Sequence, residues 1–291
     1  MKDEAASALA PLPAGYAELF ARVLRAAESD DRVRAVWLGG SVGRGVADAG
    51  SDLDVVLAIA PEAFDEFAGA WRTFLHRVTP VVLARELPRL PGSFYSVTTD
   101  CLRLDVVAEP AGAARPADLD RRLLVLHKDD PRGDTPREPP GRQVQSPGVD
   151  TGLGQPRPNP ARLTEMAEEF LRQMAIFPAA VVARQDWLLG VVGVQNVHLM
   201  LYQLFVEANQ PLPPMGIKQW SAKLTARQRR VCAGLPAPTA SPDGVLTAMR
   251  AAAAAFRQEA RAVLAALDAR WPADFDDAVQ RYWERELGWP G

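Results

Sequence analysis

GGSVGRGVADAGSDLDVVL, residues 39–57, gathers five glycines, two serines and three aspartates and then turns apolar. Two readings are open at this level: a glycine turn with an acidic edge, or a turn that holds an anion followed by a strand that holds a cation. Gly39 and Gly40 close the apolar run Val33-Arg34-Ala35-Val36-Trp37-Leu38, which reads as a strand. Glycine at its end lets the backbone turn sharply and approach a ligand with no Cβ in the way. Ser41 stands where a helix would begin, able to cap it or to offer its hydroxyl and nearby amides to an anion. Asp52 and Asp54 introduce a second apolar strand, Val55 to Ile59, and residues two apart on a strand project to one face. The two carboxylates therefore arrive side by side, with Leu53 pointing the other way. Like charges that close raise one another's pKa unless a cation is bound, and Mg²⁺ commonly takes one or two carboxylates together with water and substrate phosphates. Asp48 and Ser51, flanking Ala49-Gly50, read as turn and cap residues.

Working outward, Tyr16, Leu19, Phe20, Val23 and Leu24 fall at helical spacing. Pro61 suits a first helical turn, and Phe64, Phe67, Trp71, Phe74 and Leu75 continue one helix from it. Val81–Leu83, Phe94–Thr98, Leu102–Val107 and Leu123–Leu126 read as further strands, the middle two joined by a tight turn near Asp100. A small mixed sheet with helices follows, so the fold class predicted for the whole chain is α+β. Within Leu102–Val107, Asp105 is an acid flanked by apolar residues, which is costly without a partner. Either it is the third carboxylate of the site or it pairs with one of the chain's twenty-nine arginines. Asp100, at the turn, has an ordinary turn-forming role.

Between Pro131 and Pro160 there are eight prolines and five glycines with almost no apolar periodicity, the composition of a linker or a mobile loop. The domain organisation expected is 1–130, a linker at 131–160, and an all-α domain at 161–291 of four to six helices. One of these is the Ala-rich run Val245–Leu267. Trp187–Val206 is long and apolar, but its Gln195, Asn196, His198 and Gln203 argue for a buried helix of a soluble bundle rather than a membrane span. His198 and Tyr202, one turn apart on it, read as hydrogen-bonded core residues. The net charge of −3 and pI near 5.7 disfavour a nucleic-acid partner. Two distant cysteines exclude a disulfide framework or a structural zinc site. The first twenty residues carry acids and prolines rather than a basic start and an apolar run, so a cytoplasmic location is expected.

Gly40-Ser41, a ten-residue spacer, Asp52-Leu53-Asp54 on one strand and Asp105 on another resemble the polymerase-β-type nucleotidyltransferase superfamily. The string 39–57 is similar to the antibiotic nucleotidyltransferases that modify aminoglycosides and lincosamides, which join such a domain to a helical one. The resemblance covers roughly residues 15–130 and is architectural beyond them. It implies that Gly40 and Ser41 bind the triphosphate of ATP, and that Asp52, Asp54 and Asp105 are catalytic and hold two Mg²⁺ ions. The reaction implied is transfer of AMP to a hydroxyl of a small acceptor, with pyrophosphate leaving in line. Arg44 reaches the same phosphates, or is a solvated surface arginine. Lys218 and Lys223 are two of only four lysines in the chain. They are nucleotide contacts beside a stacking Trp220, or part of a basic helix with a core tryptophan. Glu165, Glu168, Glu169 and Asp186 supply a negative field for a polycationic acceptor, or solvate helix faces. The alternative reading is a module of the same fold that binds or modifies a protein partner.

Overall fold

The alternating periods between residues 16 and 126 build one six-stranded mixed sheet in the computed structural model, which describes residues 2–113, 119, 121–128, 157–214 and 219–289. The chain divides into two compact units, Met1–Val144 and Gln145–Gly291. Unit 1 contains α1 (Lys2–Leu9), α2 (Gly15–Glu28), β1 (Val33–Leu38), α3 (Gly40–Gly43) and β2 (Leu53–Ile59). After these come α4 (Phe64–Gly69), α5 (Trp71–Val78), β3 (Val81–Glu86), β4 (Phe94–Thr98), β5 (Arg103–Pro110) and β6 (Leu123–His127). The strand order is β3-β4-β5-β2-β1-β6, with β2 and β5 parallel and the other neighbours antiparallel.

Alternation along the strands decides which face is core. Leu53, Val55, Leu57 and Ile59 of β2 join Leu104 and Val106 of β5, Leu19, Phe20 and Val23 of α2, and Phe67 and Phe74 in one buried cluster. Trp71 stacks on Phe94 with ring centroids 4.8 Å apart. The helices thus cover one face, and the residues of β2 and β5 that alternate with these, Asp54 and Asp105 among them, belong to the other. Asp30, between α2 and β1, is buried and accepts hydrogen bonds from Arg32 Nη2 at 2.9 Å and Arg77 Nη2 at 2.5 Å. Burial pushes its carboxyl up, but the bonds from Arg32 and Arg77 outweigh burial and hold it at about 2. Asp30 therefore stabilises the fold above the ordinary carboxylate pKa, a contribution lost as pH falls through about 2.

Two local expectations change. The single helix predicted from Pro61 is a 3₁₀ turn, Pro61–Ala63, followed by α4 and α5, broken at Ala70 (φ −115°, ψ 14°). Gly69, a poor helix former, precedes the break, and the break still leaves Phe67 and Trp71 both buried. Helix α1 has no counterpart in the sequence reading, because eight residues hold little helical bias without a tertiary surface to pack on.

Unit 2 is helical: α6 (Pro160–Phe177), α7 (Trp187–Ala208), α8 (Ala226–Ala233), α9 (Pro242–Ala266) and α10 (Ala273–Leu287). The starts are chemically marked. Asn159 Oδ1 accepts from the amides of Ala161 and Arg162, Thr225 and Gln228 form a reciprocal capping box, and Ser241 Oγ accepts from Gly244 N. Phe170 of α6 stacks on Phe256 of α9 with centroids 4.0 Å apart at the centre of the core. Helix α7 approaches α9 so closely that a Cβ on Gly190 would lie 2.6 Å from Val245 Cγ1. Contrary to expectation, α7 is only partly buried: Leu188, Val192 and Leu199 are exposed, and by length and composition the helix is long and apolar enough to cross a membrane. Of the segment 131–160, residues 131–156 lie outside the described residues.

Because Phe256 is fully buried against Phe170, Phe256→Ala is expected to cost ~3–5 kcal/mol of stability, measured as a lower midpoint in urea unfolding. A cost below ~1 kcal/mol would contradict the packing described for unit 2.

Candidate functional site

The site begins where β1 ends. Gly39 N donates to the Asp54 carbonyl at 2.9 Å, which carries the β1–β2 ladder one step beyond the strand. Gly40 then takes φ +53°, and a Cβ built there would overlap Asp54 Oδ2 and lie 2.5 Å from Asp54 Cγ. The Asp54 carboxylate therefore rests against the first residue of α3, an approach open only to glycine. Gly39 is under no such demand, since its φ is −110° and its nearest Cβ contact would be 3.6 Å.

Helix α3 is a single turn, closed by Gly43 N to Gly39 O at 2.6 Å and Arg44 N to Gly40 O at 3.3 Å. The amides of Gly40, Ser41 and Val42 precede the first intrahelical donor, the position where a short helix has N–H groups to offer. Ser41 lies inside this turn, and Gly39 takes the cap position expected for Ser41. Beyond it, Ser51 Oγ donates to Asp48 Oδ1 and accepts from Asp48 N, both at 3.0 Å, while Gly50 N donates to Asp48 Oδ1 at 3.0 Å. Asp48 and Ser51 are turn residues, as their spacing suggested, and the turn delivers Asp52 at the mouth of β2.

Strand pairing supplies the rest. The parallel β2–β5 register places Asp54 beside Asp105 and Leu53 beside Leu104. One step earlier, Asp52 meets Arg103, whose Nη1 lies 3.2 Å from Asp52 Oδ2. Arg103 also donates through Nη2 to Gly50 O at 3.0 Å, and its amide donates to Tyr16 Oη at 3.3 Å. On the far side of Asp105, β4 contributes Tyr95. Two strands thus present a two-by-two array on one face: Asp52 and Asp54 along β2, Arg103 and Asp105 along β5.

The electrostatics of the array are uneven. Burial first, then the neighbouring Asp52 charge, push the Asp54 carboxyl up to about 6, against the opposing pull of Arg103 and Arg44. Arg44 is exposed, yet close enough to act on Asp54. A carboxylate made costly by burial and by an acidic neighbour is a donor suited to a hard divalent cation. The three-acid cluster expected from the sequence is not closed: among the described residues no three His, Cys, Asp or Glu side chains are gathered closely enough to hold a metal ion. Asp105 reaches the side of Asp54 through strand register, whereas Asp52 leans on Arg103. Sequence reasoning left open an arginine partner for Asp105 beside its role as third carboxylate, and did not anticipate that Arg103 pairs with Asp52. No local signal points to it, because the pairing exists only once β2 and β5 are in register.

The positions singled out in unit 2 fare differently. Lys218 lies outside the described residues. Lys223 is half-buried in the 3₁₀ turn Ser221–Lys223, and its carbonyl accepts from Asn209 Nδ2 at 2.9 Å. Trp220 is exposed, not core, and stacks on Tyr202 with centroids 4.5 Å apart and planes 15° from parallel. His198 Nε2 is buried with no hydrogen-bond partner among the described residues, so the bonded core role expected for it is not met at that atom. Burial lowers its pKa accordingly. Glu168 faces Arg270 at 3.3 Å, Glu169 faces Arg172 at 2.7 Å, and Asp186 Oδ1 caps α7 by accepting from Leu189 N at 2.9 Å. Those three acids have local work, which weakens the idea of a common negative field.

Residues 21–83 match the family model of the nucleotidyltransferase domain. The matched span runs from α2 into β3 and contains Gly40, Ser41, Arg44, Asp52 and Asp54, while Asp105 lies beyond it. The match supports the polymerase-β-type superfamily and, with it, transferase chemistry on a nucleoside triphosphate of the kind that generally employs a divalent metal. No curated protein matches the chain.

Gly40→Ala is expected to cost about 2 kcal/mol or more, from the left-handed backbone and the displaced Asp54 carboxylate together. Gly39→Ala should change stability by less than about 1 kcal/mol, so chemical unfolding of the two variants side by side tests the close approach. For Asp54 the folded state binds the proton more tightly than the unfolded chain, so stability falls as pH rises from the ordinary carboxylate value through about 6. Without divalent cations, Asp54→Asn should therefore be more stable than the parent above that pH by about 1–2 kcal/mol after allowance for solvent screening. The advantage should vanish near pH 4; a difference independent of pH would overturn the assignment.

Proposed function

We propose that the chain is a Mg²⁺-dependent nucleotidyltransferase that moves AMP from ATP to a hydroxyl of a small molecule of the aminoglycoside or lincosamide type and releases pyrophosphate. The observation that carries this reading is the Asp54 carboxylate, seated against the Cβ-free Gly40 at the start of α3 and in register with Asp105. Phosphate-binding and cation-binding chemistry then meet at one end of one sheet.

In this reading the amides of Gly40 and Ser41, the Ser41 hydroxyl and the Arg44 guanidinium receive the triphosphate. Asp52, Asp54 and Asp105 are the residues that hold Mg²⁺, two ions in all. The cations, when bound, lower the pKa of the acceptor hydroxyl and neutralise the leaving pyrophosphate. The chain's own part is to aim the carboxylates. Arg103 holds Asp52 in place through its ion pair, while Asp54, its pKa raised to about 6 by burial and by Asp52, ionises fully only well above that pH in the absence of a cation. Unit 2 selects the acceptor, with Lys218 and Lys223 as nucleotide contacts. A cytoplasmic location and the 1–130, 131–160 and 161–291 division belong to the same proposal.

The test is pyrophosphate release from ATP, GTP and CTP with Mg²⁺ and a panel of aminoglycosides and lincosamides. Acceptor-dependent release is expected, greatest with ATP and abolished by a chelator. Asp54→Asn should lower it by at least ~10³-fold with the nucleotide Kd changed far less, as for a group acting chiefly in the transition state. No acceptor-dependent release with any nucleotide would sink the proposal.

A further inference from the structure

Helix α9 carries Arg250, Arg257 and Arg261 at a spacing of seven and then four residues, on one face. Opposite them, Asp276, Gln280 and Trp283, spaced by four and then three residues, share one face of α10. Trp289 follows the left-handed Gly288 (φ +65°) that ends α10. The two helices and Trp289 border a half-open cavity of about 290 Å³ lined in part by Arg250, Arg257, Arg261, Gln280, Trp283 and Trp289. Every lining group belongs to unit 2.

The charge in this cavity is not balanced. Asp276 is fully buried and accepts from Arg257 Nε and Arg261 Nη2, each at 2.7 Å. One carboxylate therefore answers two guanidiniums and fixes both, while Arg250 makes no ion pair with the described residues. Arg257 Nη2 is buried and has no hydrogen-bond partner among the described residues. A buried guanidinium N–H without an acceptor is costly, and a water or a bound anion is one way to meet that cost.

Aromatic surface lies beside the charge. The Arg257 guanidinium sits 5.3 Å from the Trp283 ring centre, and that of Arg250 sits 5.8 Å from Trp289. The two indoles meet edge to face at 5.0 Å and 74°. Trp283 Nε1 donates to the Met174 carbonyl at 2.7 Å, so this ring is held in place. A cavity with fixed guanidiniums and an indole wall matches a flat ring that carries an oxyanion: the oxyanion takes N–H groups of Arg250 and Arg261, and the ring takes the aromatic surface. Its volume, at the lower end for small-molecule sites, limits the ligand to about one ring.

We propose that the α9–α10 cavity binds a small aromatic oxyanion, a single ring bearing a carboxylate or a phosphate ester. The site stands on unit 2 alone and does not depend on the chemistry proposed for the sheet.

Calorimetric titration of the full chain with benzoate, phenyl phosphate, inorganic phosphate and benzamidine tests it. Benzoate or phenyl phosphate is expected to bind with Kd below ~1 mM and at least ~10-fold more tightly than inorganic phosphate, and benzamidine is expected not to bind. The better of the two ring ligands identifies the oxyanion. Arg250→Gln, which removes no ion pair with the described residues and so should leave the thermal midpoint in place, is expected to weaken that ligand by ~10-fold or more. Trp289→Leu should weaken the ring-bearing ligands and leave inorganic phosphate unchanged. No binding by either ring compound up to ~10 mM, equal affinity for inorganic phosphate, or affinity unchanged in Arg250→Gln would each overturn the proposal.

Discussion

The parallel pairing of β2 with β5 is the constraint on which the rest of unit 1 depends. Side chains on paired strands alternate between faces, so a slip of one residue would send Asp54 into the helix-covered core and bring Leu53 out. In the observed register Asp54 lies beside Asp105 and Asp52 beside Arg103. Parallel neighbours also need a long crossover. Residues 60–102 provide it: α4 and α5 pack on the core face, and β3 and β4 extend the sheet on the far side of β5. The elements between the two strands therefore serve to bring acids distant in sequence to one end of one face.

Two aspartates of unit 1 show how environment divides labour within one residue type. Asp30 is buried, but arginine hydrogen bonds overcome the cost of burial and depress its pKa, which makes it a structural anchor between α2, β1 and α5. For Asp54 the pKa rises instead, because burial and Asp52 act in the same direction and Arg103 and Arg44 offset only part of the cost. A carboxylate kept expensive by its surroundings is the usual mark of a site that awaits a ligand. The backbone carries a matching cost in Gly40, held in the left-handed region with the Asp54 carboxylate where a Cβ would be.

Unit 2 repeats the contrast with the signs reversed. Asp276 is enclosed completely and satisfied by two arginines, while Arg257 keeps a buried N–H without an acceptor among the described residues, beside a cavity walled by tryptophan. Both units thus hold one ion arrangement that is complete and one that is not. In unit 2, the incomplete one borders a cavity.

Read alone, the chain specifies the class of fold and the glycine turn that follows β1. The runs Val33–Leu38 and Phe94–Thr98 became β1 and β4 residue for residue, Val55–Ile59 and Leu102–Val107 mark β2 and β5 with ends shifted by up to three residues, and the helical spacing beyond residue 160 became the helices of unit 2. Gly40, Asp52 and Asp54 were legible because their meaning is local: a turn after a strand, and two acids on one face. Only the tertiary structure decided that Arg103 belongs to Asp52, that Asp105 stands beside Asp54 without closing a three-acid cluster, that the helix from Pro61 breaks at Ala70, and that α7 is partly exposed. The physical reason is common to all four. Each depends on which surface a segment meets, and strand register, helix docking and ion pairing between distant residues are set by the free energy of the assembled unit, which no local pattern encodes.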